Sequence, residues 1–263
     1  MVKDMKLILL GTGGPRLTPV PPRGGSSQLV KVGDDYILID CGPGATLNMV
    51  RAGIIPHQPH YLFFTHVHHY DHNAGYVAFV FENWIWGFED GVYKPLKVYG
   101  PAGTKDFHDR VFNTAYGDEI KLRMELGGYH APIIEVTEVG NGDVCRGNYW
   151  TASAAKVSHG PNALGYRVDS EGRSIVVSGD LSRLSELTEF AHNADLFLID
   201  VMHPSGEDIG RTAAEAKVKT LVLSHIIYSW FGNELNLKTK IQDIRKYYDG
   251  EIIEGRDLMT FEL

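Results

Sequence analysis

The stretch "FFTHVHHYDHNAG", Phe63 to Gly75, places four histidines and one aspartate within the seven positions His66 to His72. The chain holds 12 histidines in all, so this short turn concentrates them. The apolar run "HYLFF" that leads in reads as a buried strand. "DHNAGYVAFVFENW" follows as a helix, opened by Asp71 or Asn73 as its cap. A turn between two rigid elements can converge side chains on one point. Neutral imidazole and carboxylate are both ligands of zinc and other first-row cations. The cluster therefore predicts a metal site that draws on His66, His68, His69, Asp71 and His72.

Three other apolar strands each run straight into one metal-competent side chain. "AAKVSHG" ends in His159, "SIVVSGD" in Asp180 and "TLVLSH" in His225. In α/β sheets the carboxyl ends of strands are where functional groups collect. Together these residues offer enough donors for two metals, with Asp180 able to bridge.

The rest of the chain reads as strands and helices in alternation. "MKLILLG", "QLVKV", "DYILIDCGPG", "LKVYG", "APIIEVTEV", "YWTASAAKVSH", "ALGYRVD", "SIVVSGD", "DLFLIDV" and "TLVLSH" carry strand character, bounded by Gly, Pro, Ser and Asn. "ATLNMVRAGI" has helical spacing, with Leu47, Val50 and Ile54 on one face. "AGTKDFHDRVFNTAY", "SRLSELTEFAHNA", "TAAEAKV" and "LKTKIQDIRKYY" read as further helices, and "EIIEGRDLMTFEL" as a closing strand pair. No repeat, low-complexity tract or linker divides the chain. The expectation is one α/β domain over residues 1–263, with two sheets packed together and helices outside.

Composition narrows the function. Hydrophobic content of 43% and charged content of 22% suit a globular protein of 263 residues. The formal net charge of -8 makes nucleic acid an unlikely partner on electrostatic grounds. No transmembrane run and no signal peptide are visible, so the expected location is the cytoplasm, without a membrane partner. Cys41 and Cys145 read as reduced thiols without a catalytic role.

The ordered set of stretches resembles the metallo-β-lactamase superfamily, in its ribonuclease Z and arylsulfatase-like branch. The resemblance rests on "LLGTGGP", "LIDCGPG", "FFTHVHHYDHNAGY", "LKVYGPAGT", "VSHGPNALGYRV", "SGDLSRLSEL" and "LVLSHI", and it spans nearly the whole chain. It implies a four-layer αβ/βα sandwich of two mixed sheets with a dinuclear site at one edge. One metal would take His66, a second turn histidine and His159, and the other Asp71, His72 and His225, with Asp180 bridging. Asp40 would lie beneath and hold a ligand in place. The family spaces its first histidine and its aspartate by four positions, and here His66 to Asp71 is five. His68 and His69 both stay open as the second ligand, with "HYDH" favouring His69.

The implied chemistry is hydrolysis by a hydroxide shared between two divalent metals, zinc first, with manganese or iron as alternatives. Asp71, Asp200 and His203 are the catalytic candidates, since Asp200 and His203 could orient water or protonate a leaving group. Trp84, Trp86, Trp230 and Phe231 are expected to wall an apolar pocket, or to form a homodimer contact or a core layer. The substrate expected from this is a small ester, lactone, sulfate ester or phosphodiester bearing an apolar or aromatic group. The alternatives are a ribonuclease Z-like nuclease, a di-iron redox enzyme and a metal-poor, non-catalytic relative.

Overall fold

The computed structural model describes residues 4–16, 21–227 and 237–263. In chain order the first seven strands are β1 (Met5–Gly11), β2 (Ser27–Val32), β3 (Asp35–Ile39), β4 (Tyr61–Phe63), β5 (Leu96–Gly100), β6 (Ile134–Glu138) and β7 (Val144–Arg146). The rest are β8 (Thr151–Lys156), β9 (Leu164–Ser170), β10 (Arg173–Val177), β11 (Leu196–Asp200), β12 (Thr220–Ser224), β13 (Glu251–Glu254) and β14 (Thr260–Glu262). The α-helices are α1 (Ala45–Arg51), α2 (Tyr70–Asn73), α3 (Tyr76–Glu89), α4 (Thr104–Asp109), α5 (Gly117–Gly127), α6 (Gly206–Glu215) and α7 (Leu237–Arg245).

Two seven-stranded sheets result, ordered β14-β1-β2-β3-β4-β5-β6 and β13-β12-β11-β10-β9-β8-β7. Each begins as an antiparallel meander, β1-β2-β3 or β8-β9-β10, and continues with parallel strands. Alternation along the strands sends one set of side chains between the sheets and the other outward. Leu7, Ile37, Ile39 and Phe63 meet Ala154, Tyr166, Val177 and Leu198 in the layer between the sheets. Leu38 and Leu62 face outward into a core with α1 and α3, while Phe197 and Ile199 face the opposite way into a core with α6 and α7. Covered on both faces, these strands read as continuous apolar runs. The result is the expected four-layer sandwich. Among the described residues no helix is long and apolar enough to cross a membrane.

Four sequence expectations need correction. β13 and β14 do not pair: they join different sheets, because the chain crosses between them as Gly255 N donates to Leu223 O and Leu258 N to Leu9 O. On α1 the buried residues are Ala45, Asn48 and Met49, while Leu47 and Val50 are exposed. Asn48 turns this face inward, since its Nδ2 donates to Leu10 O at 2.6 Å. "SRLSELTEFAHNA" forms only a short 3-10 turn, Leu184–Leu187. Its apolar residues are buried as its pattern implies, but the Phe190 and His192 carbonyls accept from Arg167 Nη1 instead of helical amides. Neither Asp71 nor Asn73 caps the helix after the histidine turn: His69 precedes α2 and Gly75 precedes α3.

Trp84 lies on α3 at 1% exposure, its ring near Phe81 and Tyr129 and its indole N–H donating to His130 O at 3.0 Å. Trp84→Ala should therefore cost about 3–5 kcal/mol of stability, read from the urea midpoint. A loss below about 1 kcal/mol would contradict this packing.

Candidate metal centre

The site forms where strands of both sheets end. Asp40 follows β3, His66 lies just past β4, and Asp180, Asp200 and His225 stand at the ends of β10, β11 and β12. Asp40 and His225 both hold left-handed backbone, φ 57° and 59°. Such a conformation at non-glycine residues costs free energy and persists where surrounding bonds fix it. Asp40 is fixed by Thr65, whose N–H and Oγ1 each donate to it at 2.8 Å. It also meets His72 Nδ1 at 2.7 Å. His225 is fixed through its backbone by Ile226 N donating to Thr12 O, and through Nδ1 by Asp200 at 3.2 Å.

The turn itself is clamped from below. Cys41 N donates to His72 O at 2.7 Å, and Gly75 N to Cys41 O at 2.8 Å. A Cβ on Gly42 would stand 2.1 Å from Asp71 O, so only glycine lets this loop approach. The sequence reading missed three supports. Thr65 also reaches His66 Nδ1 at 3.0 Å, which leaves Nε2 as the free donor of that ring. Glu186 accepts from the N–H and Oγ of Ser158, the residue before His159. Asp257 accepts from Thr12 N, Thr12 Oγ1 and Gly24 N, bracing the "GTGG" loop beside His225. Only Thr65 carried a sequence signal, its place directly before the first histidine.

These supports bring the eight expected metal donors together. His66, His68, His69 and His159 each offer a nitrogen within 4.8 Å of one another. Asp71, His72 and His225 form a second group of the same kind. Asp180 stands between, with Oδ1 3.2 Å from His72 Nε2, and Oδ2 3.7 Å from His159 Nε2 and 3.6 Å from His225 Nε2. Asp71 Oδ2 lies 3.1 Å from His225 Nε2.

Electrostatics follow from burial among mixed charges. Burial pushes the His66 pKa down, aided by neighbouring His72. Burial also lowers His159, to about 4, against the pull of Asp180. For His72 burial opposes protonation, but Asp180 and Asp40 outweigh it and raise the pKa well above the ordinary range. His225 follows the same pattern, raised to about 10 by Asp180, Asp200 and Asp71 against burial. Cys41 is buried, and burial pushes its thiol up, which removes it as a nucleophile.

Divalent cations fit this donor set. His66 Nε2, His72 Nε2 and Asp71 Oδ1 are buried without a hydrogen-bond partner among the described residues. Buried polar atoms are normally paired, so three orphans among the clustered donors suit a Lewis acid.

A cleft of about 440 Å³ opens over the centre, lined by Pro15, His68, His69, Tyr70, Met202 and His203 among others. His203 Nδ1 sits 2.5 Å from Asp200 Oδ2, and this hydrogen bond, working against burial, raises the His203 pKa. Asp200 itself is buried and bonds to both His203 and His225, so it holds the two imidazoles in place. The expectation that Trp84 and Trp86 wall the pocket is not met. Trp84 is buried under α3, and the Trp86 indole donates to Glu82 on an exposed face of the same helix, so neither lines this cleft. Trp230 and Phe231 lie outside the described residues.

Residues 20–225 match the model of the metallo-β-lactamase superfamily. Ribonuclease Z of Mycobacterium marinum is 31% identical over 249 residues, covering 85% of this chain and 86% of its own. Among solved structures, the metallo-β-lactamase fold protein YhfI from Bacillus subtilis aligns with a TM-score of 0.76 at 18% identity, over 99% of this chain and 100% of that one. The short form of human tRNase Z aligns at 0.71 and 18% identity, over 97% and 98%. The chain belongs to the metallo-β-lactamase superfamily, on the branch that includes ribonuclease Z. It is a hydrolase of that fold.

Asp40→Asn should keep the fold but weaken metal affinity about 10–100-fold, since the carboxylate orients His72 without itself being exposed to the cleft. Competition against a chromophoric chelator measures this, and unchanged affinity would remove Asp40 from the account.

Proposed function

We propose that this protein is a ribonuclease Z-type phosphodiesterase that hydrolyses a P–O ester bond in RNA. The observation that carries the reading is His203, held by Asp200 at 2.5 Å and facing the same cleft as the clustered donors. Two earlier expectations give way. The small ester with an aromatic group loses the support of Trp84 and Trp86, which lie outside the cleft, and the curated relatives are named for the alternative, ribonuclease Z. The expectation that nucleic acid is an unlikely partner is overturned by the curated relatives, which are named ribonuclease Z. The charge argument failed because a net charge of -8 describes the whole surface, not the field at one cleft.

His66, His68 or His69, His159 and Asp180 would hold one divalent ion, and Asp180, Asp71, His72 and His225 the other. Imidazole with carboxylate suits zinc best among common cations. Such ions lower the pKa of water and draw charge from a phosphoryl oxygen. The protein's own groups do the rest. Asp200 accepts from His203 Nδ1, which favours the protonated imidazole and leaves Nε2 as the nitrogen available to the cleft that His203 lines. Water attacks phosphorus and releases a proton to solvent, a new P–O bond forms, the P–O bond to the ribose breaks, and His203 gives its proton to the departing alkoxide and regains one from solvent.

Leaving-group dependence tests the assignment. His203→Gln should lower kcat on a 3′-extended precursor tRNA by about 10²–10⁴, since an alkoxide needs a proton. The same variant should lose far less on bis(p-nitrophenyl) phosphate, whose phenolate leaves unaided. Equal losses on both substrates would remove His203 as the acid. Chelator treatment should abolish both activities and added zinc should restore them. Failure of the metal-loaded wild type to cleave the RNA would sink the ribonuclease reading.

A further inference from the structure

The superfamily pattern asks for one histidine between the first ligand and the aspartate, and this turn has two. We infer that His68 and His69 both ligate, so that one metal position is held by four imidazoles, those of His66, His68, His69 and His159. This rests on the metal reading above and departs from the family's three-histidine corner.

The first support is spacing. Ligand nitrogens about 2.0–2.1 Å from a tetrahedral ion lie about 3.4 Å from one another. His159 Nε2 and His69 Nδ1 are 3.4 Å apart, a poor hydrogen bond but the right edge for such a site. All four residues offer nitrogens within 4.8 Å, so small rotations of exposed rings bring the set to bonding distance.

The second support is the place made for His68. Its ring stacks on His159, with centroids 5.3 Å apart and planes at 23°, and lies 4.7 Å from the His66 ring. Gly160 follows His159 with φ 63°, and a Cβ there would meet His68 Nε2 at 2.8 Å. Glycine after His159, a ligand in the reading above, thus lets the His68 ring lie against this turn without shifting.

The consequence is an unequal pair of metal positions. Closed four-ligand sites hold metal for structure, while sites with an open position carry chemistry. With Asp180 still shared between the positions, the four-imidazole corner is filled and anchors its ion, while the Asp71–His72–His225 corner keeps the open position that water and substrate need.

Cobalt(II) titration of the full chain tests this. The wild type should bind two ions, and its d–d absorption should show one saturated nitrogen-rich site. His68→Gln and His69→Gln should each weaken one of the two binding events at least about tenfold and change the same absorption band. The double variant should lose that band. An unchanged band and affinity in either single variant would make that histidine a spectator and overturn the inference while leaving the two-metal reading standing. A wild type that binds no cobalt or zinc would overturn both. Thermal melts in chelator, expected to be equal for all four proteins, separate ligand loss from misfolding.

Discussion

Four carboxylates, those of Asp40, Asp71, Asp180 and Asp200, are buried within one cluster. Carboxylates so placed repel one another and lose their hydration, and isolated burial of one charge is costly. Imidazoles surround them, yet His66 Nε2 and His72 Nε2 find no hydrogen-bond partner among the described residues. Bound cations satisfy both demands at once, because they take the place of protons on the ring nitrogens and offset the carboxylate charge. The rest of the fold is arranged to hold this costly cluster in position.

The holding works through backbone more than side chains. The loop after β3 lies against α2 so closely that Gly42 cannot carry a side chain, and its amide at Cys41 grips His72. Thr65 ties Asp40 to His66, and Asp40 ties both to His72. Across the cleft Asp200 does the same for His203 and His225. One carboxylate per sheet thus orients two imidazoles. The layer between the sheets, with Phe63 packed near Tyr166, fixes the distance between the two halves of the site. Spacing sets the site: the first sheet brings the histidine turn, the second brings Asp180, His225 and His203, the proposed proton donor.

Much of this was legible in the residues. The strand-end positions of His66, His159, Asp180 and His225 announced the convergence, because three such ends recur in a chain that already carries the histidine cluster. The layer order was legible as well: strands such as "LFLID" are apolar on both faces. What the sequence hid was long-range. Asp257 holds Thr12 from 245 residues away, which no local pattern records. Arg167 captures the carbonyls of Phe190 and His192 and breaks a helix whose apolar spacing is otherwise sound. The tryptophans misled because aromatic density near a ligand segment is equally the mark of a core, and α3 turns Trp84 away from the cleft. Net charge misled because it averages over a surface whose active part is one small cleft.

The central claim is that Asp180 is shared between two cations at the meeting of the sheets. Metal content of Asp180→Ala, measured per chain by mass spectrometry beside the wild type, tests it most directly. The account predicts two ions in the wild type and at most one in the variant, with the fold intact by circular dichroism. A variant that keeps both ions would contradict it.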